Sequence, residues 1–525
     1  MNQMHYTVTS MNEWLYPDSQ VENTVHEAHL TTVRGGSTGF QILCNHVTAD
    51  RITAAYTASG SAPYRVELFR ERSVNVPENT GVHGFTAGWE TAKAYATRPA
   101  PFRVYDAIEP IPSGGLTRLS ETEAFYVSIS VDPACPAGQY TGKVDINGAA
   151  VSVDLTVANA DQPAETLNFT NWFTTGVAGY HGIEPWSEEH WDLLAQYGHQ
   201  MRRMHQTIFW VHPAGDASVD EAGVYHFDYT KTKRLIELYL SMGFQKIEGQ
   251  PIFGRDGWGA DVFRIHTPKG YVPATSDAAY EYVTAMLTAW RAFLEENGWY
   301  DRLIQHVGDE PQDKVATEYR ILSGIVRKLL PGVKLLDAIE RYELQGAVDI
   351  WVPKNDFYAR NTEAMERLRS LGDEIWFYTC CIPGGHFANR LLDMPLLRSR
   401  MLFWGNYRYQ LTGYLHWGLN HTIRDDVQAY EDTCPPNTPE QNLPAGDSHI
   451  LYPLGKQVLG SMRAEMARCG TEDYELLKAL AATDKAKADA LCGVVFRAFD
   501  DCDNEAVVFD NLHDKLVAAF AAISH

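Results

Sequence analysis

At 525 residues, with 45% hydrophobic and 21% charged side chains, the chain has a globular composition and the length of two or three domains. Its formal net charge of -23 repels nucleic acid and anionic membrane surfaces, and no run of Lys or Arg offsets that field. A small neutral substrate fits it better than a polyanion.

The N-terminal stretch MNQMHYTVTSMNEWLYPDSQ lacks the basic and apolar segments of a secretory leader, and no run approaches the length of a membrane span. Eight cysteines are scattered without a CxxC pair, and the adjacent Cys380 and Cys381 are poorly placed to bridge each other. The expectation is a reduced, cytoplasmic protein without membrane insertion. Thirteen Trp and 27 Tyr are many for this length; most must fill core, but such rings are also flat platforms for sugars.

Residues 1–160 read as short β-runs broken by turns. In FYVSISVDPACPAGQYTGKVDINGAAVSVDLTV (Phe125–Val157), alternating Val, Ile, Tyr and Thr are separated by Pro-Ala-Gly and Asn-Gly, which predicts hairpins and an all-β sandwich. HEAH (His26–His29) falls in this region and reads as surface. ANADQPAET (Ala158–Thr166) is small and polar, a linker.

From 167 to 480 helix and strand alternate. An amphipathic helix, a glycine and a β-run recur five times, with Gly243, Gly298, Gly332, Gly372 and Gly413 where a helix end needs a left-handed residue. Adding Leu167–Phe173, Thr207–Val211 and Asp349–Val352 gives eight strands, which predicts a (β/α)8 TIM-type barrel behind the sandwich. An open doubly wound sheet is the alternative, but no GxGxxG or phosphate loop follows the first strand. Arg463–Leu477 (RAEMARCGTEDYELL) reads as a partly solvated helix, and residues 481–525 as a helical extension packed on the barrel.

In such a barrel the C-terminal strand ends form the active face. HVGDEP (His306–Pro311) puts Asp309 and Glu310 at the fourth strand end, where Gly308 relaxes the backbone and Pro311 biases Glu310 toward extended geometry. Both carboxylates could then reach one cleft; alternatively Asp309 starts a turn and Glu310 caps the next helix. The other strand ends, TNWF, GQPIFGRDGW, FYTCC and YLHWGLN, bring Trp172, Arg255, Tyr378, Trp417 and Asn420 around the same mouth, the make-up of a small-ligand pocket. No metal motif, Gly-X-Ser-X-Gly or phosphate loop is present, so neither metal nor cofactor is expected. Cys380 and Cys381 have no histidine pattern to make a thiol nucleophile.

These residues carry a resemblance. TNWF, GIEPWSEEHW, GDEP, WVPKNDFY, WGNYRYQLTGYLHWGLN and EDYELL, in that order, resemble glycoside hydrolase family 123, the β-N-acetylgalactosaminidase family, and PAGQYTG extends the likeness into the sandwich. HVGDE is also similar to the His-x-Gly-Gly-Asp-Glu signature of family 20 hexosaminidases, one glycine short. The resemblance implies substrate-assisted catalysis on a neutral glycan with a terminal 2-acetamido sugar. Asp309 would hold the acetamido N–H, Glu310 would be the acid and then the base, Tyr378 would donate to the acetamido carbonyl, and Trp417 would floor the ring. His306 and Trp404, within matching stretches, join the candidate substrate-binding residues. Repulsion from Asp309 would help keep Glu310 protonated. Competing readings are a β-N-acetylglucosaminidase, a double-displacement glycosidase with Asp337 or Glu340 as nucleophile, and a non-catalytic sugar-binding protein. Linkage, aglycone and oligomeric state have no signature in the chain.

Overall fold

The computed structural model describes residues 4–257, 259–341, 343–421, 429–439 and 441–524; Trp258 of the GQPIFGRDGW stretch lies outside them. The fold is mixed α/β.

Two large sheets account for most of the strands in the first 160 residues. One runs in the order His5–Ser10, Ser37–Asn45, Glu123–Val131, Tyr64–Val76 and Phe102–Pro110, all antiparallel. The other pairs Glu27–Arg34, Ala149–Asp161, Gly138–Ile146 and Ala54–Ala58. Alternate residues face inward, so Phe40, Ile42, Phe125 and Val127 of one sheet share a buried core with Val144, Val151, Val153 and Leu155 of the other. Asn147 and Gly148, at φ +51° and +91°, make the tight turn that Asn-Gly announces. The first sheet is extended by the C-terminal half: Gly460 and Ser461 pair with Ile108 and Ala107.

Parallel strands dominate the rest. Six form one sheet: Ile208–Val211, Lys246–Gly249, Leu303–His306, Lys334–Ala338, Ile350–Val352 and Glu374–Ile375. Three form another: Asn168–Asn171, Gly413–His416 and Phe377–Thr379. The single β-run expected at Asp373–Cys380 is thus divided between the sheets at Trp376. Backbone hydrogen bonds also join the sheets: Thr207 N–H to Phe169 O at 3.1 Å, Trp376 N–H to Trp351 O at 2.9 Å and Tyr378 N–H to Pro353 O at 3.0 Å.

Four of the five helix-ending glycines take the left-handed conformation, Gly243, Gly298, Gly332 and Gly372 at φ +94°, +71°, +83° and +105°. Gly413 does not. Gln410, at φ +52°, ends the helix Leu397–Tyr409, and Gly413 instead opens a strand pressed on Trp376, where a Cβ would lie 2.2 Å from the indole.

Arg463–Leu477 also departs from expectation. It forms the first turns of the helix Met462–Val495 and is buried throughout. Its charges are satisfied by partners instead of water: Arg463 by Asp106 at 2.9 Å, Asp473 by Arg400 at 2.6 Å, Glu472 by His205 at 3.0 Å, and Glu465 by Arg203 and Arg468. The final helix, Ala506–Ala521, sets Phe509 edge-on to Trp404 at 5.4 Å. Among the described residues no helix is long and apolar enough to cross a membrane.

Candidate active site

A cavity of about 620 Å³ opens where the parallel strands end. Trp172, Trp210, Asp309, Glu310, Lys354, Tyr378 and Trp417, each at or just beyond the C-terminal end of a different strand or on the same turn as a neighbour, line it. Indole faces with a few convergent polar groups are the usual equipment of a small-ligand site.

The turn carrying the acids is held against its own preference. Glu310 has φ +44°, not the extended geometry that Pro311 suggests; such a conformation is costly for a residue with a side chain and persists only where its surroundings impose it. Arg255 supplies one restraint, its Nη2 donating to the carbonyl oxygens of Glu310 at 2.8 Å and Asp309 at 3.3 Å. Asp337 supplies another, its Oδ2 accepting the N–H groups of Val307 and Gly308 at 3.0 Å each. Gly308 has no room for a side chain, since a Cβ would sit 2.7 Å from the Phe263 ring.

Beneath the turn lies a fully buried chain of charges. His306 contacts Glu248 Oε1 through Nε2 at 2.7 Å and Asp337 Oδ1 through Nδ1 at 2.6 Å, and none of the three is exposed. Burial alone would depress the imidazole pKa, but the two carboxylates outweigh it and raise it to about 10. Glu248 also accepts from Trp172 Nε1 at 2.8 Å and Thr170 Oγ1 at 2.6 Å, while Tyr319 donates its hydroxyl to Asp337. His306, expected among the substrate-binding residues, is instead sealed under the cavity floor because its strand position turns it inward.

Burial pushes the Asp309 carboxyl up to about 8, reinforced by the negative charges of Glu310 and Asp337 and opposed by His306 and Arg255. The raised carboxyl is that of Asp309, from which the sequence reading expected only a repulsive charge. Tyr378, whose hydroxyl burial and neighbouring acids keep neutral, donates to Glu310 Oε1.

The remaining candidates divide. Trp172 lies flat on Trp210, centroids 4.5 Å apart at 8°, and Trp417 donates Nε1 to Asp447 Oδ2 at 3.2 Å; both line the cavity. Arg255 acts on the backbone of the acid turn. Asn420 braces Thr174, accepting its N–H at 2.9 Å and donating to its carbonyl at 3.1 Å. Trp404 is fully buried away from the cavity, its Nε1 bound to Asp473 at 2.9 Å, because its helix is buried on all faces from Leu397 to Tyr407.

The lining residues that escaped the sequence reading include Trp210, Lys354, Asp447 and Phe85. The strand-end rule that found Trp172 would have found Trp210 at the end of TIFWV and Lys354 after WVP. Asp447 sits in a long irregular segment, and Phe85 arrives from the N-terminal sheets, where Gly84 packs so tightly on Cys381 that a Cβ would lie 1.9 Å from its carbonyl oxygen. Neither carried a local signal. Among the described residues no group of three or more His, Cys, Asp or Glu side chains is placed to hold a metal ion.

Carboxylates that share a cavity with indole faces at the mouth of parallel strands suit a sugar-processing site. The description "Glycoside hydrolase 123, catalytic domain" matches residues 172–480, and the chain belongs to glycoside hydrolase family 123. Among solved structures it is similar to a family 123 glycoside hydrolase from Clostridium perfringens, analysed for glycolipid glycan hydrolysis, at 15% identity over 99% of this chain and 97% of that one, with a TM-score of 0.74. Its TM-scores with a putative β-galactosidase from Bacteroides fragilis (11% identity, 84% of this chain, 59% of that one) and a Thermobacillus composti family 10 xylanase (10% identity, 58% and 97%) are 0.28 and 0.35, too low to bear on the fold. No curated protein matches the sequence.

Proposed function

We propose that the chain is a retaining, exo-acting β-N-acetylgalactosaminidase that works by substrate-assisted catalysis. The two parallel sheets then form one (β/α)8 barrel, with Glu374–Thr379 as an interrupted seventh strand; the hydrogen bonds of Thr207, Trp376 and Tyr378 between the sheets support closure. A sandwich domain of residues 1–160 precedes a catalytic domain of 167–480, and 481–525 is a helical extension.

The observation that carries the mechanism is the placement of Asp309 and Glu310 on one clamped turn in one cavity. Acid and nucleophile in ordinary retaining glycosidases stand about 5–5.5 Å apart, and acid and base in inverting ones about 6.5–9.5 Å, on either side of the sugar. Consecutive residues approach from one side, which leaves the attack on the anomeric carbon to the substrate. Asp337, an alternative nucleophile, is buried with every approach taken by His306, Tyr319 and two N–H groups, and Glu340 is paired with Lys354 at 3.1 Å.

In the first step the 2-acetamido oxygen bonds to C1 as the bond to the leaving oxygen breaks, and Glu310 gives that oxygen its proton. Asp309, as carboxylate, pairs with the N–H of the oxazolinium ion. In the second step Glu310 takes a proton from water, whose oxygen adds to C1 and reopens the ring with net retention. Positive charge developing on the acetamido nitrogen favours Asp309 as carboxylate, against the burial that lifts its carboxyl to about 8. Trp172 and Trp417 offer apolar faces to the sugar. Membership of family 123 supports a glycan substrate, and the Clostridium perfringens enzyme suggests the glycolipid type.

Aryl β-glycosides with and without the 2-acetamido group test the reading: only the acetamido sugars should turn over, and a sugar-fused thiazoline should inhibit. Asp447 also lines the cavity, its carboxyl lifted to about 7 by burial. A covalent ester trapped on Asp447 or Glu340 by a 2-fluoro sugar would instead establish double displacement.

A further inference from the structure

We propose that His416 is a positioning residue of the active site: it carries its proton on Nε2 and donates it to Asp447, so that the buried Arg390 cation steadies the carboxylate that holds the Trp417 indole in the cavity wall. The proposal rests on the larger cavity being the sugar site.

The chain of contacts starts at Arg390, which is 3% exposed and, among the described residues, pairs with no carboxylate. Its guanidinium donates instead to Asn171 Oδ1 at 2.7 Å, to the Gly418 carbonyl oxygen and to His416 Nδ1 at 2.6 Å. The Gly418 N–H is directed at the same Nδ1, at 3.0 Å. A ring nitrogen that meets two donors is the unprotonated one, so the proton of the neutral imidazole sits on Nε2. The ring is neutral because burial and the positive charges of Arg390 and Arg463 hold its pKa well below the usual value.

His416 ends the strand Gly413–His416, fully buried behind the cavity wall. Its Nε2 faces Asp447 Oδ1 at 3.5 Å, and neither atom has another partner among the described residues. A buried donor and a buried acceptor left unsatisfied are each costly, and together they satisfy one another. The gap exceeds an ordinary hydrogen bond by a few tenths of an ångström, which a small rotation of either side chain closes. The other Asp447 oxygen accepts the Trp417 Nε1–H at 3.2 Å. Burial lifts the Asp447 carboxyl to about 7, while Arg390, the indole N–H and Arg463 favour the charged form. The Nε2–H of His416 adds to that side and fixes the carboxylate at both oxygens.

Two variants separate the two ring nitrogens. His416→Gln can present an amide N–H where Nε2–H stood; His416→Asn is too short for that but still accepts from Arg390. On aryl β-N-acetylgalactosaminides His416→Asn should raise KM about tenfold with kcat within about twofold, since a wall that grips substrate and transition state alike is what loosens. His416→Gln should recover most of that rise. Added to Trp417→Phe, which has no indole N–H to be held, His416→Asn should cost little more than Trp417→Phe alone. Nitrogen-15 NMR of histidine-labelled wild type needs no turnover: the signal that His416→Gln removes should report a neutral ring protonated on Nε2. A proton on Nδ1 or on both nitrogens, an unchanged KM in His416→Asn, equal KM effects from the two variants, or an additive double variant overturns the proposal. If no N-acetylhexosaminide is turned over while the proton lies on Nε2, the hydrolase specificity fails and the His416–Asp447 bond stands. If hydrolysis proceeds with the proton on Nδ1, the positioning role fails alone.

Discussion

His306 stands 2.6 Å from Asp337, and the same carboxylate holds the N–H groups of Val307 and Gly308 with its other oxygen. One buried aspartate therefore fixes both the imidazolium and the backbone that presents the acid pair. Glu248 does the equivalent for the aromatic wall, joining His306 to Trp172.

Removing the cation should be costly. His306→Ala would leave Glu248 and Asp337 as neighbouring buried carboxylates with no compensating charge, and loss of one partner from such an arrangement typically costs about 3–5 kcal/mol. The expected result is a marked fall in the denaturation midpoint along with activity. An unchanged midpoint would mean that the network is not charged.

The wild type should show the same network in its pH dependence. The His306 pKa is raised in the folded state, to about 10, above its unfolded value near 6.5. The folded protein thus binds more protons than the unfolded chain between those values, and this contribution to stability is complete below pH 6.5 and lost as pH rises toward 10. Thermal melts across that window should fall with pH; for His306→Ala the slope should be shallower.

Asp309 should trade stability for chemistry. Its carboxyl is raised to about 8, so ionising it opposes folding, and the penalty grows from pH 4 to 8. Asp309→Asn keeps the shape without the charge. It should melt higher than wild type at pH 8, converge with it near pH 4, and lose both turnover and thiazoline affinity. A variant less stable at pH 8 would show that the carboxylate is not strained there.

Glu310→Gln should depend on the leaving group. General acid catalysis is typically worth about 10²–10⁴-fold, and the loss should be greatest for alkyl glycosides and least for activated aryl ones. Uniform loss on a series of leaving groups would remove Glu310 from the acid role.

Strand-end position identified the acid turn and three of the indole and phenol walls because the parallel-strand pattern and its glycine stops are local properties of the chain. What supports them was not local. Glu248 and Asp337 sit in ordinary apolar β-runs, and only pairing across three strands reveals that they share one histidine. The buried helix from Arg463 failed for the same reason: its charges read as solvent-facing until Asp106, Arg203 and Arg400, distant in sequence, are brought against it. Trp404 misled through composition alone, an aromatic in a matching stretch that turned out to be core.

Arg463 carries one more consequence. Besides Asp106 of the N-terminal sheet it holds the carbonyl oxygens of Arg390 at 3.0 Å, Gly446 at 2.7 Å and His449 at 3.0 Å, the last two bracketing the segment that bears Asp447. A chain shortened to start at the parallel strands would strand this guanidinium in an apolar interior without its counter-ion, and would also lack Phe85 from the cavity wall. The β-sheet half is therefore a foundation and not an appendage, and damage to it should surface first as lost turnover.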